Sequence, residues 1–378
     1  MSNIEHIFLF LFAFLLMYIW GVLNYKKQGV RFWMSALLPI IIVSFIIGSR
    51  TWGADYYNYK GQFVNTLYAT LYMDQQPFFL FINSILRGLG FNYVGAFSFY
   101  TFIYLLGMFC FVHSFGASSK HMYAFILFSY IGFGTDIIRQ AFAMGFVFFM
   151  LYYYEQRKWI LAFVFAIIAF FLHSVTIITM TMFVAFSFLL KNPLNIKYTI
   201  PIYLLLVFVY KPEYTAFLAP FLSSIHLGDS KFQGYLDDSD KWFSNNGANE
   251  IYTQGTGALI LNTLFIIGLI YLGYQALKEK KNDRIAGIYN FVVVGYMMLR
   301  VFNNFEILRR IAIPMTLLWP IIMGYSIFIL KKNKNTALMD GKSKKIMKIS
   351  FFCIYLFLAL YWGRFLFLSP EKMFYWQS

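Results

Sequence analysis

Charge is scarce in this chain: Asp, Glu, Lys and Arg together make up 12% of its residues, about half the roughly 25% usual in soluble domains. Acids are scarcer still, 16 against 31 Lys and Arg. The two cysteines, Cys110 and Cys353, both fall inside apolar runs, where they behave as small hydrophobes. They offer no disulfide framework and no metal site. No Walker A loop, GxSxG elbow, HExxH or paired CxxC occurs, which leaves an ATP-driven pump and a zinc protease without support.

Apolar residues fill the space instead, at 60% hydrophobic and 22% aromatic. A soluble protein of 378 residues cannot hide that much apolar surface, and runs of about 18 or more apolar residues read as membrane helices. The expected fold class is therefore all-α, a polytopic integral membrane protein with about 10–12 transmembrane helices in a single domain over 1–378. The pattern places spans at about 5–23, 32–48, 94–112, 121–134, 138–153, 159–172, 173–190, 199–210, 258–276, 285–301, 307–330 and 348–367. The first apolar run has no basic segment before it and no clear cleavage site, so it is expected to be a retained span. The runs 121–153 and 159–190 are each short for two full spans, and each reads as a pair of short helices or one long tilted helix. The segment 77–90, "PFFLFINSILRGLG", reads as a re-entrant or interfacial helix, because counting it as a span breaks the charge alternation.

That alternation also accounts for the net charge of +15 without nucleic acid as a partner. The connections "NYKKQGVRFW", "GASSK", "EQRK", "KNPLNIK", "KEKKNDR" and "KKNKNTALMDGKSKKIMK" carry 19 of the 31 Lys and Arg but 4 of the 16 acids. The excess of basic residues makes this side the cytoplasm, with both termini outside. The long hydrophilic segment 211–257 then becomes one larger outer loop, acidic and aromatic. Its Asp237, Asp238 and Asp240 resemble a metal-ligand triplet, but acidic loop runs are usually solvated, and no metal is expected.

The remaining ionisable residues of the spans gather at the outer face. Arg50 and Asp55 follow the second span in "GSRTWGADYYNYKGQF". Arg139 lies in "DIIRQAFAMGFVFF", and His173 in "FFLHSVTIITM". Arg300, Glu306, Arg309 and Arg310 lie in "LRVFNNFEILRRIAIPM". Arginine at membrane depth is costly and usually faces a bundle interior or a watery cavity. A cluster on the side the positive-inside rule disfavours suggests an anionic partner there. For Arg87, Arg310 and Arg364 the blander reading is a side chain snorkelling to the headgroups. Tyr56, Tyr57 and Tyr59 also fit an interfacial aromatic belt.

These four stretches, in this order within a many-span protein, resemble the EpsG-like family of bacterial polysaccharide polymerases, relatives of the Wzy O-antigen polymerases. The resemblance runs over roughly 35–325 of the chain. It implies a GT-C-like, inverting, metal-independent glycosyltransferase without a cofactor, working on the outer face of the bacterial inner membrane. Donor and acceptor would be oligosaccharide repeat units on undecaprenyl pyrophosphate. Membrane lipid and a chain-length regulator are further partners it allows for. Catalysis is then expected of His173, Asp55 and Arg139, and substrate binding of Arg50, Trp52, Tyr56, Tyr59, Arg300, Glu306, Arg309 and Arg310.

The chemistry fits those residue types. The pyrophosphate leaving group gains charge as the anomeric bond breaks, and arginine offers a permanently charged, planar donor fork for phosphate oxygens. Arg139, Arg300 and Arg309 are expected to hold it, with Arg300, Arg309 and Arg310 competing for one role. The acceptor hydroxyl must lose a proton, and since an unperturbed histidine titrates near neutral pH, His173 is a candidate base. Asp55 and Glu306 are the other candidates for that base. Arg50 and Asp55 are expected to pair at the mouth of the site, with Trp52, Tyr56 and Tyr59 stacking on sugars. A ligase that moves a finished glycan, or a flippase of lipid-linked oligosaccharide, remains the alternative function. A flippase, however, should carry charge along its whole path and often shows repeats. An acyltransferase built on His173 would need an acyl donor from the cytoplasm, opposite to the face this histidine is expected to open on.

Overall fold

The computed structural model describes residues 3–50, 56–65, 76–134, 137–211, 214, 256–302, 306–333 and 341–368. Among these, every regular element is a helix: the protein is an all-α polytopic membrane protein. In chain order these are α1 (Asn3–Asn24), α2 (Gly29–Gly48), α3 (Tyr56–Val64), α4 (Pro77–Gly88) and α5 (Tyr93–His113). A 3-10 turn (Gly116–His121) leads to α6 (Tyr123–Gly134), α7 (Ile138–Glu155), α8 (Trp159–Leu172), α9 (Thr176–Leu189) and α10 (Ile196–Phe208). After them come α11 (Thr256–Glu279), α12 (Asp283–Val301), α13 (Glu306–Thr316), α14 (Trp319–Asn333) and α15 (Gly341–Leu368).

Among the described residues, five stretches are long and apolar enough to cross a membrane: α2, α5, α11, α12 and Leu308–Lys331. Five shorter apolar stretches of 10–17 residues stand beside them, among them Phe8–Asn24, α8, α9 and α10. The two ambiguous runs each form a pair of helices, the second pair broken at His173. Pro77–Gly88 is a helix of 12 residues, about 18 Å long at the α-helical rise and short of a roughly 30 Å hydrocarbon core. The span expected over 307–330 is matched by Leu308–Lys331, with a two-residue turn at 317–318, where the Leu317 amide bonds the Pro314 carbonyl at 3.3 Å. Pro314 cannot donate to the helix ladder, which favours a break nearby. The outer loop 211–257, with Asp237, Asp238 and Asp240, lies almost wholly outside the described residues, as do Trp52 and Asp55.

The chain packs as two compact units. The first takes in Met1–Thr181, Trp319–Leu338 and Leu358–Ser378, the second Met182–Leu318 and Met339–Phe357.

In the first unit α5 is apolar on every side, the pattern of a helix surrounded by others, and it packs against α2 and α7. Trp20 of α1 joins three neighbours at one point, its ring 5.5 Å from Phe32, 5.2 Å from Phe109 and 5.0 Å from Tyr123. The tightest approach is between α5 and α7. A Cβ built on Gly107 would lie 2.1 Å from the Gly145 carbonyl oxygen, and one on Gly145 would lie 2.7 Å from that of Ile103. Small residues at such crossings let two backbones touch in a membrane protein, where apolar burial alone drives little association. By contrast α8, 14 residues long, turns Trp159, Ile160, Phe163, Phe170 and Phe171 outward.

His121 closes the 3-10 turn and is buried. Burial, reinforced by Lys331 and Lys120, pushes its pKa down to about 4. The folded protein therefore holds it neutral, whereas an unfolded chain protonates its histidines near pH 6.5. The stability this provides is present above about pH 6.5 and is lost as pH falls towards 4. The melting temperature in detergent should drop over that window, and His121→Asn should flatten the drop. An unchanged slope in the variant assigns the acid sensitivity elsewhere.

In the second unit the fully buried Asn290 staples the α9–α10 turn to α12. Its amide nitrogen donates to the carbonyls of Leu190 (3.1 Å) and Asn192 (2.8 Å), and its oxygen accepts from the Leu194 amide at 2.8 Å. All its bonding capacity but one lone pair is used, which makes a buried amide tolerable. Phe291 beside it packs on Phe183 and Phe186 at 5.5 and 5.9 Å.

Candidate functional site

The short helix α3 reads "YYNYKGQFV", with apolar Tyr56, Tyr59 and Phe63 at helical spacing on one face and polar residues between them. That face enters an aromatic cluster with Phe79 and Leu86 of α4, Phe97 and Tyr100 of α5, Ile138 and Phe142 of α7, and Leu172 of α8. Arg139 follows Ile138 directly, and His173 follows Leu172. Phe78 packs on Phe171 at 6.1 Å, and Gln76, just before α4, bonds Arg139. The cluster thus gathers the α3 residues, the start of α4, Arg139 and His173 around one apolar centre.

The Arg139 Nη1 donates to Gln76 Oε1 at 2.5 Å, Gln76 Nε2 donates to Gln62 Oε1 at 3.0 Å, and Gln62 Nε2 donates to Asn58 Oδ1 at 3.2 Å. Arg139 is partly exposed, yet its Nε is buried and has no hydrogen-bond partner among the described residues. Nor does any carboxylate come within salt-bridge distance of it among them. It is a cation held by a neutral amide.

Arg50 sits differently from what the sequence suggests. Only 1% exposed, it donates from Nη1 to the Ile47 carbonyl (3.1 Å) and from Nη2 to the Gly134 carbonyl (2.9 Å), with Phe97 under the guanidinium at 5.9 Å. It thereby caps the C-terminal ends of α2 and α6, where carbonyls lack partners and the helix dipole favours a cation. The sequence suggested a substrate-binding arginine; the structure places two of its donors on helix-end carbonyls. Its expected partner Asp55 lies outside the described residues, as does Trp52.

Tyr56 and Tyr59, suggested to stack on sugars, lie inside the aromatic cluster. They are 1% and 7% exposed, with Phe97 and Phe79 each 5.6 Å from one of them. Burial, with Tyr93 adding to it, holds the Tyr56 hydroxyl above the ordinary tyrosine range. Tyr57, on the opposite side of α3, is 73% exposed. Lys60 lies over the Tyr93 ring at 4.4 Å and the Tyr56 ring at 5.8 Å. Arg87 does not snorkel freely: its Nη1 donates to the Phe63 carbonyl at 3.0 Å, fixing the end of α3.

His173 terminates α8 in an extended conformation, and its carbonyl accepts from both the Thr176 amide (2.9 Å) and the Thr176 hydroxyl (2.8 Å). This break turns the chain into α9 and leaves the nearly buried imidazole at the end of the aromatic cluster.

Arg300, Arg309 and Arg310 belong to the second unit. Arg300, in the last turn of α12, donates from Nε to the Tyr203 hydroxyl at 3.2 Å and lies over that ring at 5.9 Å. Tyr210 donates to the Val301 carbonyl at 3.1 Å, tying the same end to α10. Glu306, Arg309 and Arg310 lie on α13. Successive residues diverge by about 100° around a helix, so Arg309 and Arg310 leave α13 in different directions.

Sequence reasoning missed Asn58, Gln62 and Gln76. The first two were findable, because amides four apart on a short polar helix share a face. Gln76 was not, since its contacts lie 14 and 63 residues away. Among the described residues no three His, Cys, Asp or Glu side chains form a metal-binding group.

No curated protein and no solved structure matches the chain. One protein family does, over residues 33–377. That stretch contains the aromatic cluster, Arg139 with its amide chain, His173 and the α12–α13 arginines, and on it the chain belongs to the EpsG family.

Proposed function

We propose that this protein is a polysaccharide polymerase that joins undecaprenyl-pyrophosphate-linked repeat units, by inversion and without a metal, on the outer face of the bacterial inner membrane. Family membership supports the polymerase role in general terms. The observation that carries the finer reading is Arg139, a partly buried guanidinium held by a neutral amide. Such a group keeps its full charge and its remaining donors for an anion, and a pyrophosphate leaving group is one whose charge grows during reaction. Arg139 would hold that group, and His173 at the same cluster would take the proton from the acceptor hydroxyl or orient it.

The test is the surface glycan of a strain lacking this protein, run on a gel beside its lipid-linked intermediates. The expected result is single repeats at the surface and no ladder, with the ladder restored by the wild-type gene and chain growth in isolated membranes persisting in EDTA. A normal ladder that fails to reach its final acceptor would identify a ligase instead, and repeats trapped inside would identify a flippase. Loss of activity in EDTA, restored by Mg²⁺ or Mn²⁺, overturns the metal-independent mechanism.

A further inference from the structure

We propose that Gln76 is a positioning residue for the Arg139 guanidinium, and that Gln62 and Asn58 behind it fix which end of the Gln76 amide faces that cation. The inference rests on the polymerase reading, in which Arg139 meets the pyrophosphate.

A guanidinium has donors and no acceptor, so only the oxygen of Gln76 can face it. The Gln76 NH₂ must then point away, and it finds Gln62 Oε1 at 3.0 Å. That bond turns the Gln62 NH₂ towards Asn58 Oδ1 at 3.2 Å. The cation thus sets the direction of all three amides. Reversing Gln76 would put NH₂ against a cation and oxygen against oxygen. Water cannot easily repair such a reversal, because Gln62 and Gln76 are 1% and 6% exposed.

The backbone is held as firmly. Gln76 directly precedes Pro77 at the start of α4, and its carbonyl accepts from the Leu80 amide at 3.1 Å. Proline at the first helical position presets the backbone for the helix that follows. Gln76 therefore presents its oxygen from a fixed point.

The amide also suits this place better than a carboxylate would. Glutamate has nearly the same shape and would grip the guanidinium more tightly, but as an ion pair. The positive charge would then be largely cancelled before any phosphate arrived. Glutamine orients the fork and leaves its charge intact. The buried Arg139 Nε, without a hydrogen-bond partner among the described residues, agrees with a group held ready for a ligand.

The order of two variants decides the matter. Chain growth from lipid-linked repeats is followed in membranes holding equal amounts of each protein, with inorganic pyrophosphate added as inhibitor. Gln76→Ala should lower kcat/KM about tenfold, the usual scale for a hydrogen bond to a charged group. Gln76→Glu should lower it about 100-fold or more, because it neutralises the cation that stabilises the leaving group. Its sensitivity to pyrophosphate should fall in step. If the side chain only fills space, the nearly isosteric glutamate must be the milder change, and that order overturns the proposal. Where Gln76→Glu does not accumulate, Gln62→Leu takes its place. It unlocks the Gln76 amide without touching Arg139 and should still weaken both activity and pyrophosphate inhibition; unchanged values overturn the proposal. Arg139→Ala is the reference. If it is inactive while glutamate at 76 is tolerated, only the Gln76 assignment fails. If it is fully active, the polymerase site itself is misplaced.

Discussion

Arg139→Ala should abolish chain growth while the protein still reaches the membrane in normal amount. Removing one preorganised donor from a developing negative charge costs about 10²- to 10³-fold in rate. A cation that also neutralises the leaving group belongs at the upper end of that range. The fold should survive. Arg139 is partly exposed, and its bond to Gln76 is replaceable, since Gln76 keeps its bond to Gln62. Neighbouring Ile138 and Phe142, which hold α7 in the aromatic cluster, are untouched. The surface glycan ladder and an immunoblot of membranes, read together, separate the two effects. A normal ladder from this variant removes Arg139 from the site.

Gly145→Val should do the opposite, removing the folded protein itself. The added Cβ would lie 2.7 Å from the Ile103 carbonyl oxygen, and Gly107 approaches the same crossing from the other side. Both obstacles are backbone, which cannot swing aside as a flexible side chain can. α5 and α7 would have to separate, loosening Tyr104 from Phe148, whose rings now meet at 5.2 Å. Overpacking a core commonly costs about 1–3 kcal/mol and more where backbone must move. Against a typical total stability of about 5–15 kcal/mol, that is a large share. Size-exclusion profiles and melting temperature in detergent are the measurements. Gly88→Ala is the control: nothing lies within 4 Å of its Cβ position, so it should melt at or slightly above the wild-type temperature. A Gly145→Val protein that melts like wild type would mean α5 and α7 do not touch as described.

The helices were legible because lipid leaves the backbone few other choices. The span expected at 159–172 coincides with α8, and that at 94–112 lies one residue inside α5 at each end. The turn at 317–318 was not legible, since the apolar run continues through it and only Pro314 hints at it. The site was read less well, for a physical reason. An arginine in sequence shows its charge but not what that charge is spent on. Arg50 and Arg139 look alike on the page, yet one lies between carbonyls at two helix ends and the other bonds a single glutamine 63 residues away. The tyrosines were closer to readable. Tyr56, Tyr59 and Phe63 share one helical face, which already sets Tyr57 apart from them.

The brevity of α8 has a consequence for the lipid around it. Its 14 residues make an apolar belt about 21 Å tall, against roughly 30 Å of hydrocarbon in an ordinary bilayer. With Trp159, Ile160, Phe163, Phe170 and Phe171 facing outward, that mismatch falls on neighbouring lipids, which thin to meet it or tilt the helix. Thinning draws the headgroup plane inward at the helix ends, and His173 stands at one of them. Under the function proposed above, a lipid-borne pyrophosphate would there come to the level of the imidazole while its tail stayed in oil. The shape of the membrane, as much as the protein, would then deliver the substrate.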